Sequence, residues 1–350
     1  MPERVVVAVD AMGGDFAPDV VLNGCALALD ANKDIEIALC GPADIVEPFA
    51  CAHERCTAYP ASEVIAMGEH PAHAVRKKKD SSIVVGCRLV KEGAAHGFFS
   101  AGSTGACLAA ATLVIGRCKG IARPMLATIV PAPSGNVLLC DVGANADCKP
   151  AYLVQFAQMA VTYAKAIMHV DEPRVALLNI GAEEAKGSTF AQECFAALSE
   201  DVPEFVGNAE PGDVLSAKYD VFVTDGFTGN ICLKTIEGSA KTLFKAMKSV
   251  MLSSTKGKIG GLLLKGDLKE LAASLSADTH GGAPLLGVNG ACIVGHGSSN
   301  ETAIKNGILA TASLVSNNVV STIAESAARM KAEADQAAAA NQASEETTEA

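Results

Sequence analysis

Short, nearly continuous apolar runs alternate along the chain with longer stretches in which apolar residues recur at helical spacing. The runs Val5 to Asp10, Ile35 to Leu39, Gly97 to Phe99, Met125 to Val130, Val137 to Val142, Arg174 to Asn179, Val221 to Val223 and Ala291 to Val294 read as strands buried on both faces. Between them, Asp19 to Asn32, Ile83 to Glu92, Cys107 to Ile115, Pro150 to Met168, Ile231 to Met247 and Glu301 to Met330 read as helices. Asp19 suits the N-cap of the first helix, Ser298 or Ser299 that of the last, and Pro150 a first helical position. Strands and helices in alternation predict a mostly parallel sheet sandwiched by helices. One α/β unit is expected over residues 1–336.

The turns that follow the strands carry the polar chemistry. Glycine with Asp, Asn, Ser, Thr or Lys follows Asp10, Ser100, Asp141, Asn179 and Thr224. In a parallel sheet such turns gather at the carboxyl ends of the strands, where ligand crevices form. The stretch Thr224-Asp225-Gly226-Phe227-Thr228-Gly229-Asn230 is the pattern in its plainest form: a strand, a glycine-punctuated turn and a helix N-terminus, an arrangement that suits an anion. Hydroxyls, amides, carboxylates, Lys and backbone N–H groups suit phosphate held beside a polarised carbonyl, and no metal or covalent nucleophile is called for. Gly181 to Ser188 lacks the Gly-then-Lys order of a P-loop, and no G-x-G-x-x-G is present, which argues against a dinucleotide oxidoreductase.

Composition narrows the field. The chain has 350 residues, 49% apolar and 19% charged, so it can bury a substantial core, and general disorder is excluded. Its twelve cysteines are scattered, mostly within apolar stretches, and read as reduced core residues with no zinc-like spacing. A net charge of −11 argues against general nucleic-acid binding. Against that background Arg76-Lys77-Lys78-Lys79 is a candidate local anion-attracting patch. The Val5 run is too short for a membrane span or a signal peptide, so a cytoplasmic protein is expected. Lys256 to Lys265 places a strongly apolar tip between lysines, within a segment near 250–276 that suits either helix packing or contact with a membrane surface. From 337 to 350 the chain reads as a disordered tail.

Together these residues resemble the bacterial phosphate acyltransferase family, PlsX. The resemblance rests on Val9 to Asp15, Lys77 to Ser82, Ser100 to Ala106, Asp141 to Asp147, Leu177 to Gly181 with Glu184, Lys186 and Gly187, Thr224 to Asn230 with Leu233 to Gly238, and His296 to Asn300. It runs in order from about residue 4 to residue 330. Ser103 departs from the family's Ser-Ala-Gly-Asn-Thr-Gly-Ala pattern, which keeps a hydrogen-bonding group but shortens its reach.

The resemblance implies a Rossmann-like fold similar to phosphotransacetylases and isocitrate-dehydrogenase-like enzymes. It implies transfer of an acyl group from acyl carrier protein to inorganic phosphate, without a cofactor, in phospholipid biosynthesis. A homodimer in peripheral contact with the membrane, feeding a glycerol-3-phosphate acyltransferase, is implied as well. Phosphate is an anionic nucleophile at neutral pH and a thiolate leaves readily, so orientation and oxyanion stabilisation are the main demands. Lys186 and Asn179 are the candidates for the oxyanion, and Asp225 and His296 for orienting or proton-handling roles. Candidate substrate-binding residues are Asp10, Gly13, Gly14, Asp15, Lys78, Ser100, Gly102, Ser103, Thr104, Gly105, Asp141, Asn145, Gly181, Gly226, Thr228, Gly229 and Asn230. A coenzyme A-dependent phosphotransacetylase and a non-catalytic carrier-protein or membrane-enzyme scaffold are the alternatives.

Overall fold

The computed structural model describes residues 4–133, 135–274 and 280–332. Where the sequence predicts one unit, these residues group into two compact ones. The first comprises the chain up to Pro124, Pro284–Ser298 and the chain from Ile308; the second comprises Met125–Ala283 and Ser299–Gly307. The expected tail at 337–350 lies outside the described residues.

The first unit opens with β1 (Val5–Asp10), α1 (Asp19–Ala31), β2 (Ile35–Gly41), α2 (Ala43–Ala52), β3 (Cys56–Pro60), α3 (Pro71–Lys77), α4 (Ser82–Glu92), β4 (Gly97–Ser100) and α5 (Thr104–Ala110). A single π-turn, Ala111–Ile115, prolongs α5. The second unit follows with β5 (Met125–Ala132), β6 (Gly135–Cys140), α6 (Pro150–Ile167), β7 (Val175–Leu178), α7 (Thr189–Asp201), β8 (Phe205–Ala209), β9 (Val221–Val223), α8 (Gly226–Leu252), α9 (Thr255–Leu263) and α10 (Lys265–Ser274). Last come β10 (Ala283–Leu286), β11 (Ala291–Val294), α11 (Glu301–Ser316) and α12 (Val319–Ala332).

In the first unit the strands lie in the order β3-β2-β1-β4-β11-β10, and β3, β2, β1, β4 and β11 are mutually parallel. Val7, Ala8, Val9, Phe98, Phe99, Cys292 and Ile293 are all buried, which accounts for the unbroken apolar runs in the sequence. Because β1, β4 and β11 are adjacent and parallel, the turns after Asp10, Ser100 and Val294 leave side by side from one edge. The second unit repeats this device with the order β5-β6-β9-β7-β8. Its turns after Cys140, Val223 and Leu178 leave the neighbouring parallel strands β6, β9 and β7. β5 and β6 depart from the parallel pattern and form an antiparallel hairpin.

Helix ends show where local sequence misleads. Asp19 lies in the first turn of α1, but the N-cap position is Pro18 and carries no side-chain cap. The last helix is capped not by Ser298 or Ser299 but by Asn300, whose Oδ1 accepts from the Ala303 N–H at 2.9 Å. It also breaks where a single helix to Met330 was expected, at Asn318 with its positive φ of 54°, and α11 and α12 meet at 48°. α8 starts at Gly226, five residues earlier than its apolar periodicity indicates, because Asp225 supplies a cap ahead of it.

α8 and α9 contribute little to the core. Only Gly226 and Gly229 of α8 are buried, and no residue of α9 is. Leu243, Val250, Leu252, Ile259, Leu262, Leu263 and Leu264 are exposed. No single helix among the described residues is long and apolar enough to cross a membrane.

Candidate active site

In the first unit the turns are built around Asp10, which is 2% exposed at the end of β1. Its Oδ2 accepts the Ser100 hydroxyl at 2.7 Å, and its Oδ1 accepts the Met12 N–H at 3.0 Å. Ser82 supplies a further hydrogen bond, while burial pushes the Asp10 pKa up. A serine hydroxyl has one proton, so Ser100 has none left for a ligand. Its oxygen instead accepts the Gly102 N–H at 3.0 Å and folds the turn back on itself. Gly13 closes over this knot: a Cβ there would lie 2.7 Å from Asp10 Oδ2 and 2.8 Å from Ser100 Oγ. Asp10, Gly13, Ser100 and Gly102 are thus brought together, as scaffolding for the turn.

The turn ends at the N-terminus of α5. Ser103 caps it, its Oγ accepting the Ala106 N–H at 3.4 Å, so the residue that departs from the family pattern still performs a helix-capping task. The N–H groups of Thr104 and Gly105 make no hydrogen bond among the described residues. First-turn amides point past the helix end, so these two form an open donor pair. In the neighbouring turn Asp15 N donates to Gly297 O at 2.7 Å, and Gly14 lies against the same carbonyl. His296 Nδ1 accepts the Ser298 backbone N–H at 3.2 Å. A backbone N–H only donates, so in the neutral ring the proton resides on Nε2, and exposed His296 offers a donor.

Lys78 is placed elsewhere. Its Nζ binds Glu69 Oε1 at 2.7 Å and the Val64 carbonyl at 2.7 Å, and this contact holds the Glu69 carboxyl below its usual range. Its charge is compensated, which leaves Arg76, Lys77 and Lys79 as the exposed cations of that run.

The second unit contains a tighter knot. Asp141 Oδ1 accepts from the N–H groups of Leu126 at 3.1 Å, Gly143 at 3.2 Å and Ala144 at 3.0 Å. Its Oδ2 accepts from Asn145 N at 2.7 Å and Asn145 Nδ2 at 2.8 Å. Five donors saturate the carboxylate even though burial pushes its pKa up. The Thr224 turn is sewn into this loop. Asp141 N donates to Thr224 O at 3.0 Å, and Gly226 N to Asn145 O at 2.7 Å.

At α8 every first-turn amide is engaged. Gly226 N is bonded to Asn145 O; Phe227 N and Thr228 N donate to Asp225 Oδ1 at 3.0 and 2.8 Å; Gly229 N donates to Asp225 O at 3.0 Å. The Thr228 hydroxyl donates to Asp225 Oδ2 at 2.8 Å. Asp225 is therefore a helix cap, and the α8 N-terminus has no free backbone donor for an anion. The exposed Asn230 side chain, with Gly143 packed beside it, is the remaining polar group of this turn.

The third turn of this unit carries Lys186. Asn179 was expected to meet an oxyanion, but its Nδ2 donates to Lys186 O at 3.2 Å and to Asn208 Oδ1 at 3.1 Å, using both amide protons. Its Oδ1 accepts from Ile180 N at 2.8 Å. Asn179 thus holds the loop, and Lys186 is exposed with no ion pair among the described residues. Asn208 was not anticipated from sequence. The available signal was an Asn at the end of an apolar strand, where Asn is disfavoured.

Cys107, Cys140 and Cys292 lie buried near these turns. Burial pushes the Cys107 thiol in α5 up to about 12, and Cys140 and Cys292 up as well, so all three are protonated at neutral pH.

The model of the fatty acid synthesis protein family matches residues 5–322. The chain belongs to that family. The phosphate acyltransferase of Clostridium acetobutylicum is 44% identical over 323 residues, covering 91% of this chain and 98% of the relative. That of Halothermothrix orenii is 45% identical over 323 residues, covering 91% and 97%. As a member of this acyltransferase family the protein is an enzyme. Among solved structures, a phosphotransacetylase from Streptococcus pyogenes superposes with a TM-score of 0.55 at 18% identity, covering 89% of this chain and 94% of its own. A branched-chain phosphotransacylase from Enterococcus faecalis gives 0.54 at 14% identity, covering 89% and 99%. These two likenesses bear on the fold alone, and they match the phosphotransacetylase-like α/β architecture expected from sequence.

Proposed function

We propose that the protein transfers the acyl group of an acyl-[acyl carrier protein] to inorganic phosphate, releasing acyl phosphate and free carrier protein for phospholipid biosynthesis. The observation that carries this reading is the similarity, over 91% of the chain, to phosphate acyltransferases. A phosphate oxygen attacks the thioester carbon, the carbonyl oxygen becomes an oxyanion, and the C–S bond then breaks to release the carrier's thiolate. The free N–H pair of Thr104 and Gly105 and the Nε2–H of His296, in the first unit, are assigned to phosphate; Lys186, in the second, is separately assigned to the oxyanion. Asp10, Ser100, Asp141, Asn145 and Asp225 hold the turns that present these groups.

Exposed Arg76, Lys77 and Lys79, a basic run on a chain of net charge −11, support docking of an acidic carrier protein; the phosphates of coenzyme A would meet the same cations, so the choice between the two rests on the assay. The exposed apolar residues and lysines of α8 and α9 support a homodimer surface and a peripheral membrane contact, which brings acyl phosphate to a membrane glycerol-3-phosphate acyltransferase. The deciding assay supplies purified protein and phosphate with either an acyl-[acyl carrier protein] or the matching acyl-CoA and follows acyl phosphate. Faster turnover of the carrier-protein thioester is expected. Preference for acyl-CoA indicates a phosphotransacetylase, and no turnover of either indicates a scaffold. Liposome flotation that is unchanged by Leu263→Glu would remove the membrane contact from this reading.

A further inference from the structure

We propose that Asn208, at the end of β8, is a positioning residue for Lys186, acting through an amide clamp with Asn179; this rests on the reading of Lys186 as the oxyanion-stabilising cation. Asn208 is 3% exposed, and both ends of its side-chain amide bond the Lys186 loop or its anchor. Its Oδ1 accepts from Asn179 Nδ2 at 3.1 Å, and its Nδ2 donates to Glu183 O at 2.9 Å. Asn179 in turn donates to Lys186 O at 3.2 Å. Two side-chain amides from the ends of β7 and β8 therefore grip the loop at both Glu183 and Lys186. Lys186 N donates to Glu183 O at 3.1 Å, which closes the turn between the two grips.

The side chain is guided from the other side. A Cβ at Gly181 would lie 2.9 Å from Lys186 Cγ and 3.2 Å from its Cδ, so the aliphatic stem runs over the bare glycine. Directly after Lys186 the chain reverses at Gly187, whose φ of 89° favours glycine, and a Cβ there would meet Asn179 Oδ1 at 2.5 Å. An exposed lysine ordinarily samples many rotamers, and fixing both its backbone and its stem removes part of that freedom before substrate arrives. Buried amides bonded to each other and to this loop make the clamp specific, because losing one partner leaves another unpaired.

Two variants perturb the lysine by independent routes. Asn208→Ala removes the grip on Glu183 and Asn179, while Gly181→Ala pushes the stem directly and leaves the amides intact. Each is measured alone and combined with Lys186→Ala, using an acyl-[acyl carrier protein] and phosphate, with thermal unfolding in parallel. We expect each single variant to lower kcat about tenfold with KM for phosphate changed by less than about twofold. In the Lys186→Ala background neither should reduce activity further, because the group they position is gone. Full activity in Asn208→Ala or Gly181→Ala beside an impaired Lys186→Ala would overturn the clamp while leaving the role of Lys186 intact. Losses that multiply with that of Lys186→Ala would also overturn it, since they indicate a general effect on the fold. Full activity of Lys186→Ala alone would remove the oxyanion reading and the clamp's purpose together.

Discussion

The Ser100 turn and the Thr224 turn are written in the same sequence grammar, a short apolar strand, a glycine turn with hydroxyls, then a helix, yet they end in opposite states. At the Ser100 turn the acid sits on the neighbouring strand β1: Asp10 binds the Ser100 hydroxyl, and the Thr104 and Gly105 amides stay free. At the Thr224 turn the acid sits at the N-cap itself. Asp225 takes two first-turn amides through its side chain and one through its carbonyl, and Asn145 takes the fourth. The first leaves two backbone donors open, and the second is a braced joint. Glycine content does not separate the two; the position of one carboxylate relative to the helix does.

Substitutions break this comparison in graded ways. Gly229→Ala should have the largest effect, because its Cβ would overlap the Asp141 carbonyl oxygen, inside the joint. We expect a loss of stability on the order of 3 kcal/mol or more in chemical denaturation. A variant of wild-type stability would show that the joint is not tightly packed.

Thr104→Pro comes next, since proline is tolerated at the first helical position and Ser103 already has extended backbone, with ψ of 116°. It deletes one free amide while keeping the helix. KM for phosphate should rise roughly ten- to hundredfold, the worth of one hydrogen bond to a charged group, with Thr104→Ala as the control for the hydroxyl. An unchanged KM in the proline variant would place phosphate elsewhere.

Asp225→Ala is the complementary case. Loss of the cap should cost about 1 to 2 kcal/mol of stability, with KM for phosphate nearly constant. A large rise in KM would restore an anion-binding part for that turn.

The smallest effect is one of pH. The folded-state pKa of Asp10 is raised by burial, so its contribution to stability is fully present below the unfolded value and is lost as pH rises through the folded one. The stability of the wild type relative to Asp10→Asn should therefore improve as pH falls from neutral toward about 4. Urea titrations of both proteins at the two pH values test this; a gap that is constant or moves the other way would contradict it.

Charge placement was similarly half legible. Arg76 to Lys79 stand out in sequence as one basic run, but Lys78 is withdrawn from it by Glu69, nine residues upstream in a different local segment. Asn179 stood out as a polar residue at a strand end, and its partner Asn208, 29 residues away, did not.

The sequence by itself determined the alternation of strands and helices, the burial of the strands on both faces and the identity of the turns that carry polar chemistry. These follow from local periodicity and turn residues, which each short segment reports independently of the rest. Tertiary structure alone decided which donors in those turns are free. Hydrogen-bond partners such as Asp10 with Ser100, Asp141 with Leu126, and Asn179 with Asn208 meet only after the strands have paired. A polar group's availability depends on what has already claimed it.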